Sequence, residues 1–360
     1  MRQSLRRKSC STCARSKRRC SLSLPSCRRC AAKGVECSYP TVTPVPPPFP
    51  SASDSIDDAL LSLQLPSFIS QAETYGTQLD FAEYHPHTAN DYTARAEFLA
   101  HLMSLQSTAL ADKGFNVFIH SSQTLASDAL RDALAGSALH AVRNPSNARF
   151  IDSEITRRAS NIVAVLDAAS ICHDTVDLRM LPSVQALLVY QCMRLFSPGS
   201  ISQQAQAERD NIILQIWASR LQLSLQRGDD LMEASWEIWV EQEAIRRTLI
   251  CIELAQGTYT YLRGNWPIGM RCNHDLRFNA QKALWEAKSA AEWRLGCDDF
   301  AHPLMPCNMI RLHKDIRDAM PGDLDDLGVL LRAAGEGLAD MNTWLRHDKE
   351  ALQRWGQVGV

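Results

Sequence analysis

The reading turns on one stretch, 10-CSTCARSKRRCSLSLPSCRRCAAKGVEC-37. Six cysteines fall within 28 residues, and seven lysines or arginines stand among them. The spacing, Cys10-x2-Cys13-x6-Cys20-x6-Cys27-x2-Cys30-x6-Cys37, is two copies of the unit C-x2-C-x6-C. Thiolates are soft ligands that suit zinc, and structural zinc is held tetrahedrally by four of them. Six thiolates cannot give two zinc ions four separate ligands each, so two must bridge. The repeat suggests the first cysteine of each half, Cys10 and Cys27. Cys13 and Cys20 then complete one site, and Cys30 and Cys37 the other. A segment this short cannot bury enough apolar surface to fold alone, so metal takes the place of a core.

The positive charge belongs to the same stretch. Residues 1–40 hold 11 lysines or arginines and one acid, Glu36, a balance of +10. The remaining 27 basic and 39 acidic residues leave the rest of the chain at −12, so the net charge of −2 conceals a basic head on an acidic body. Two zinc ions on six thiolates still leave the head near +8. Such a head suits a polyanion, with nucleic acid the obvious candidate. A short helix is expected over Ala14–Arg19, and a similar turn through Ala31, Ala32 and Lys33, stopping at Gly34. The start, MRQSLRRKSC, lacks the apolar core of a secretory signal, and no run of 18 apolar residues offers a membrane span. A reducing compartment is therefore expected, where clustered thiols are metal ligands rather than disulfides.

The segment resembles the fungal binuclear zinc-cluster transcription factors, in all six cysteine positions, in the proline of the middle loop (Pro25) and in the basic run CARSKRRC. The resemblance implies a nuclear protein whose first helix enters the DNA major groove, where a lysine reads a G-rich triplet, usually CGG. Matched residue by residue, that lysine is Lys17. Lysine or arginine against guanine O6 and N7 is the commonest base-specific contact. Arg15, Arg18, Arg19, Arg28 and Arg29 are read as phosphate neutralisers, which position the module without reading sequence. Two positions depart from the family's habit. Ser16 stands where a basic residue is common, and Ser21 where aspartate is. Neither removes a ligand.

Residues 40–50, PTVTPVPPPFP, carry six prolines and predict a stiff extended spacer. Residues 41–91 as a whole are read as a largely disordered linker. Within it, DSIDDALLSLQL mixes acids with leucines, as an activation segment or simply a short surface helix would. The leucines Leu60, Leu61, Leu63 and Leu65 end at Pro66, too few for the heptads of a coiled coil, so any homodimer is expected to form through the body.

Residues 92–360 read as an all-α regulatory domain of roughly seven to ten helices. LPSVQALLVYQCMRLFSPG places Val184, Leu187, Leu188, Cys192 and Leu195 on one face. SDALRDALAGSALHAVRNP opens on a Ser127 cap. Residues 203–226 align Leu214, Trp217, Leu221 and Leu225, and SWEIWVEQEAIRRTLICIELAQGTY sets Glu243 four before Arg247. Further helices are expected over 279–294 and about 323–354. Stretches near FIH at 118–120, RDALAGSALHAVRNP and SWEIWVEQEAIRRTLI resemble, more loosely, the helical bodies of zinc-cluster regulators beside secondary-metabolite genes. Trp236 and Trp239 are expected in the core, as are the scattered cysteines 172, 192, 251, 272, 297 and 307.

No catalytic motif emerges: there is no G-x-S-x-G, H-E-x-x-H, phosphate loop or dinucleotide fingerprint. Cys172, His173 and Asp174 are sequence neighbours and cannot form a relay, and His85 and His87 alone make a poor metal site. The expected function is a sequence-specific regulator of transcription that binds double-stranded DNA and contacts the transcription machinery or coactivators. It is most simply an activator of RNA polymerase II genes in a secondary-metabolite pathway. The rival reading is a ligand-sensing or corepressor-binding protein dominated by its helical body, with weak DNA binding.

Overall fold

The structure, a computed structural model, describes residues 10–16, 18–21, 26–35, 37, 89–170, 180–197, 200–225, 235–264, 276–298, 306–308 and 319–355. Lys17, Pro25, the proline-rich and acidic-leucine stretches, His85, His87, Cys172, His173, Asp174 and Cys272 lie outside the described residues. The chain divides into two compact units, Met1–Phe81 and Ala82–Val360.

The first unit holds two short helices, α1 (Ser11–Arg15) and α2 (Arg28–Lys33). Cys27 caps α2: its backbone is extended and its Sγ accepts from the Cys30 N–H. Gly34 closes the helix in the left-handed conformation (φ 60°), with its N–H directed at the carbonyls of Ala31 and Cys30. The turn expected at Ala31–Lys33 is thus the end of a helix that starts at Arg28. The helix expected over Ala14–Arg19 instead spans Ser11–Arg15. The cause is the cysteine before it. Cys10 Sγ accepts from the Cys13 N–H at 3.4 Å, just as Cys27 does from Cys30, and this bond starts the helix one residue after the first thiol. At the far end Ser16 Oγ donates to the Thr12 carbonyl at 2.8 Å and to that of Cys13 at 3.3 Å. The Arg18 N–H then reaches back five residues to the Cys13 carbonyl, which ends the regular ladder.

The second unit is mostly helical. Its long helices are α3 (Ala89–Lys113), α4 (Asp128–Ala141), α5 (Ala148–Ser170), α6 (Met180–Leu195), α7 (Ile201–Gln222) and α8 (Trp236–Leu262). A two-stranded antiparallel sheet pairs β1 (Arg277–Asn279) with β2 (Pro306–Asn308), Phe278 opposite Cys307. Between the two strands in sequence come α9 (Lys282–Trp285) and α10 (Ala290–Cys297), and α11 (Asp326–Glu336), α12 (Leu338–Leu345) and α13 (Lys349–Trp355) follow. The described residues of this unit therefore hold eleven helices rather than seven to ten, plus one small sheet. The stretch 279–294 is divided by the strand and by a single-turn helix, and Gly337, at φ 96°, breaks the C-terminal stretch between α11 and α12. α3 begins three residues inside the span read as linker.

α6 is the pillar of this unit. Of its sixteen residues only Pro182 and Ser183 are not buried, and it touches α3, α4, α5, α7 and α8. The one-face pattern expected there is exceeded: a helix buried all round belongs in the middle of a core. Several of its polar side chains reach partners on neighbouring elements, although Gln185 Oε1 is buried without one among the described residues. Tyr190 OH donates to Asp132 Oδ2 at 2.7 Å, and its ring lies so close to α4 that a Cβ at Gly136 would come within 2.7 Å of Cε1. Gln185 donates to the Phe118 carbonyl and Gln191 to that of Ala207. Cys192 and Cys251 are fully buried hydrophobes, as expected, and Cys297 is half-buried.

A charged cluster sits inside the same core. Glu243 pairs with Arg246 and Arg247, both at 2.9 Å, and Arg247 also meets Asp325. Arg247 is 0% exposed and lies 4.0 Å from the centre of the Trp285 ring. Asp325 accepts from the Gly328 N–H as the cap of α11, so one guanidinium ties α8 to the start of the C-terminal helices. Nearby, His120 Nε2 faces the Ala287 carbonyl at 3.1 Å and Nδ1 faces the Ser122 hydroxyl and N–H, which assigns the neutral Nε2–H tautomer.

Candidate metal centre and nucleic-acid interface

The six thiols of the first unit converge. The Sγ atoms of Cys10, Cys13, Cys20 and Cys27 lie within 4.8 Å of one another, as do those of Cys10, Cys27, Cys30 and Cys37. The two groups share Cys10 and Cys27. The short separations are 3.8 Å for Cys10–Cys27, 3.8 Å for Cys10–Cys30 and 3.6 Å for Cys13–Cys27. A tetrahedron with metal–sulfur bonds of about 2.3 Å has an edge of about 3.8 Å, whereas bonded sulfurs stand about 2.05 Å apart. All six cysteines are free, four of them are buried, and the spacing is that of thiolates around metal.

The backbone prepares the shared thiols. The Cys13 N–H bond pulls the Cys10 thiol below its ordinary range, and the Cys30 N–H does the same to Cys27, down to about 6. Burial pushes Cys13 the other way, up to about 12, and also raises Cys30. The two sulfurs common to both groups are thus the ones that accept the amide starting a helix. The Cys27 N–H also donates to Cys37 Sγ at 3.2 Å, tying the last cysteine back to the middle of the module.

Around this centre the charge faces outward. Arg15, Arg18, Arg19, Arg28 and Arg29 are all exposed, and so is Lys33. No acidic side chain occurs among the described residues of this unit, so none of them neutralises these cations. α1 carries Arg15 in its last turn, and α2 carries Arg28 and Arg29 in its first, where the positive end of the helix dipole already stands. An array like this is repelled by itself and relieved by phosphate. The serine at position 21 has a role that the spacing of cysteines did not disclose: Ser21 Oγ accepts the Arg28 N–H at 2.9 Å, satisfying the first amide of α2. Its signal was the departure from aspartate, since a hydroxyl accepts the same bond.

Comparison with known proteins agrees with this geometry. Residues 8–44 match the model of the fungal Zn(2)-Cys(6) binuclear cluster domain. Along nearly its whole length the chain is similar to a protein named Transcription factor gsfR2 from Penicillium aethiopicum, 26% identical over 96% of this chain and 96% of that one. No solved structure matches.

Proposed function

We propose that this chain, whose residues 8–44 are a fungal Zn(2)-Cys(6) binuclear cluster domain, is a nuclear regulator of transcription that binds specific sites in double-stranded DNA. One observation carries the reading: two thiol tetrads sharing Cys10 and Cys27, ringed by exposed arginines with no described acid among them. Two zinc ions occupy the tetrads and hold residues 1–40 folded. Lys17 reads the guanines of a CGG-type triplet, and Arg15, Arg18, Arg19, Arg28 and Arg29 grip phosphates. Residues 41–91 are the linker, and residues 92–360 regulate the DNA-binding end, pair two copies and recruit the transcription machinery. The similarity over nearly the full length to a protein named as a transcription factor supports the same role for the body. A pathway-specific activator of secondary-metabolite genes is the reading most consistent with the stretches at 118–120 and in α4 and α8.

Selection from random duplexes with the zinc-loaded full chain tests this. Enrichment of a G-rich triplet is expected. Selection that enriches no sequence, or binding that zinc chelation leaves untouched, overturns it.

A further inference from the structure

We infer that Ser16 is a phosphorylation site for a basophilic protein kinase, and that its modification switches DNA binding off; the inference rests on the DNA-binding reading above. Ser16 is exposed and stands one residue past the end of α1, within Arg15-Ser16-Lys17-Arg18-Arg19. Arginines two and three positions after the acceptor are the charge pattern that acidic substrate grooves of such kinases select. Among the described residues the hydroxyl's partners are two backbone carbonyls, Thr12 and Cys13, at an exposed helix end. Arg18 and Arg19 lie outside any helix, as an acceptor segment docked in a kinase requires.

The contrast within the chain is informative. Arg157-Arg158-Ala159-Ser160 also sets two arginines near an exposed serine, there before the acceptor rather than after it. There the acceptor lies inside the 23-residue helix α5, and both arginines are already held: Arg157 by Glu154, Arg158 by Glu154 and Asp132. Ser16 ends a five-residue helix rather than standing inside a long one, and no carboxylate among the described residues of its unit holds Arg15, Arg18 or Arg19.

The reaction is ordinary phosphoryl transfer. The γ-phosphoryl group of ATP leaves ADP, a new bond forms to Ser16 Oγ, and the hydroxyl proton passes to the kinase's base. The product removes the donor that closes α1 and places close to two negative charges at the negative end of that helix. More importantly, it offers Arg15, Arg18 and Arg19 an internal phosphate in competition with DNA. Loss of two phosphate contacts lowers the binding constant about thirtyfold at 0.15 M salt and flattens the salt dependence by about two units.

The test uses the zinc-loaded full chain, the catalytic domain of a kinase that selects arginine after the acceptor, and magnesium ATP. Phosphate mapped to Ser16, zinc retained, and a loss of about thirtyfold on the selected duplex are expected. A Ser16→Ala chain should bind within about threefold of the parent and lose the kinase effect, and Ser16→Thr, which keeps the hydroxyl, should retain it. No phosphate at Ser16, unchanged affinity after modification, or an undiminished kinase effect in Ser16→Ala overturns the inference while leaving the parent reading intact. An unmodified chain that binds no duplex sinks the proposed function, and this inference with it.

Discussion

Replacing Cys27 by serine should empty both metal positions, whereas replacing Cys13 should empty mainly one. The reason is geometric. Cys27 Sγ stands 3.8 Å from Cys10 and 3.6 Å from Cys13 and belongs to both tetrads, while Cys13 belongs to one. Structural zinc in small modules contributes about 10–16 kcal/mol at pH 7, and that binding energy is the folding energy. Losing one thiolate from each of two sites removes a share of both contributions at once; losing Cys13 leaves the tetrad of Cys10, Cys27, Cys30 and Cys37 complete. Metal analysis after equilibration with a competing chelator should give two zinc ions for the parent, about one for Cys13→Ser and close to none for Cys27→Ser. X-ray absorption on the parent should show only sulfur at about 2.3 Å. One zinc in the parent, or equal losses in the two variants, would refute the shared-thiol argument.

Lys17→Ala should cost about 1–3 kcal/mol of discrimination for guanine-containing sites, while Arg28→Ala should weaken all duplexes alike and reduce the salt slope by about one unit; binding titrations over a salt series separate the two. In the body, Glu243→Gln leaves the buried Arg247 with Asp325 as its only carboxylate partner among the described residues, and denaturant titration should show a loss of about 3–5 kcal/mol. Burial, reinforced by the nearby Arg247 charge, holds the His120 imidazole down to about 4 against an ordinary 6.5. On acidification the unfolded chain therefore takes up this proton first. Stability from this group is complete above pH 6.5, falls as the pH drops toward 4, and is about 2 kcal/mol lower at pH 5 than at pH 7.5. His120→Asn should flatten that slope, and a parent whose stability is as flat as the variant's would show the imidazole to be solvated.

The convergence of the six thiols was legible because it is local: spacing fixes which sulfurs can meet, and all six lie within 28 residues. The helix bounds beside it were less so. A cysteine acting as a cap, with its sulfur accepting the amide three residues on, moves α1 forward to Ser11, and propensity alone does not register that. In the body, the pair Glu243–Arg247 followed from its spacing, but Asp325 reaches the same guanidinium from a distant part of the chain that no periodicity links to it. α6 showed its apolar face in sequence, yet Gln185, Tyr190 and Gln191 are buried because carbonyls and carboxylates on α4, α7 and the 116–119 loop receive them. Strand pairing of Phe278 with Cys307 is too short to leave an alternation to read.

The placement of α6 sets the order of events during synthesis on the ribosome. The N-terminal module is complete once Cys37 has emerged, and needs only metal from then on. α3, α4 and α5 are made before the helix they surround, so their inward faces meet water until residue 195 appears, and the wall formed by α8 is missing until residue 262. At about 5–20 residues per second, tens of seconds separate the finished module from a body able to close. Over that interval the basic head has all its thiols available for metal while the apolar faces of the body are still open to water.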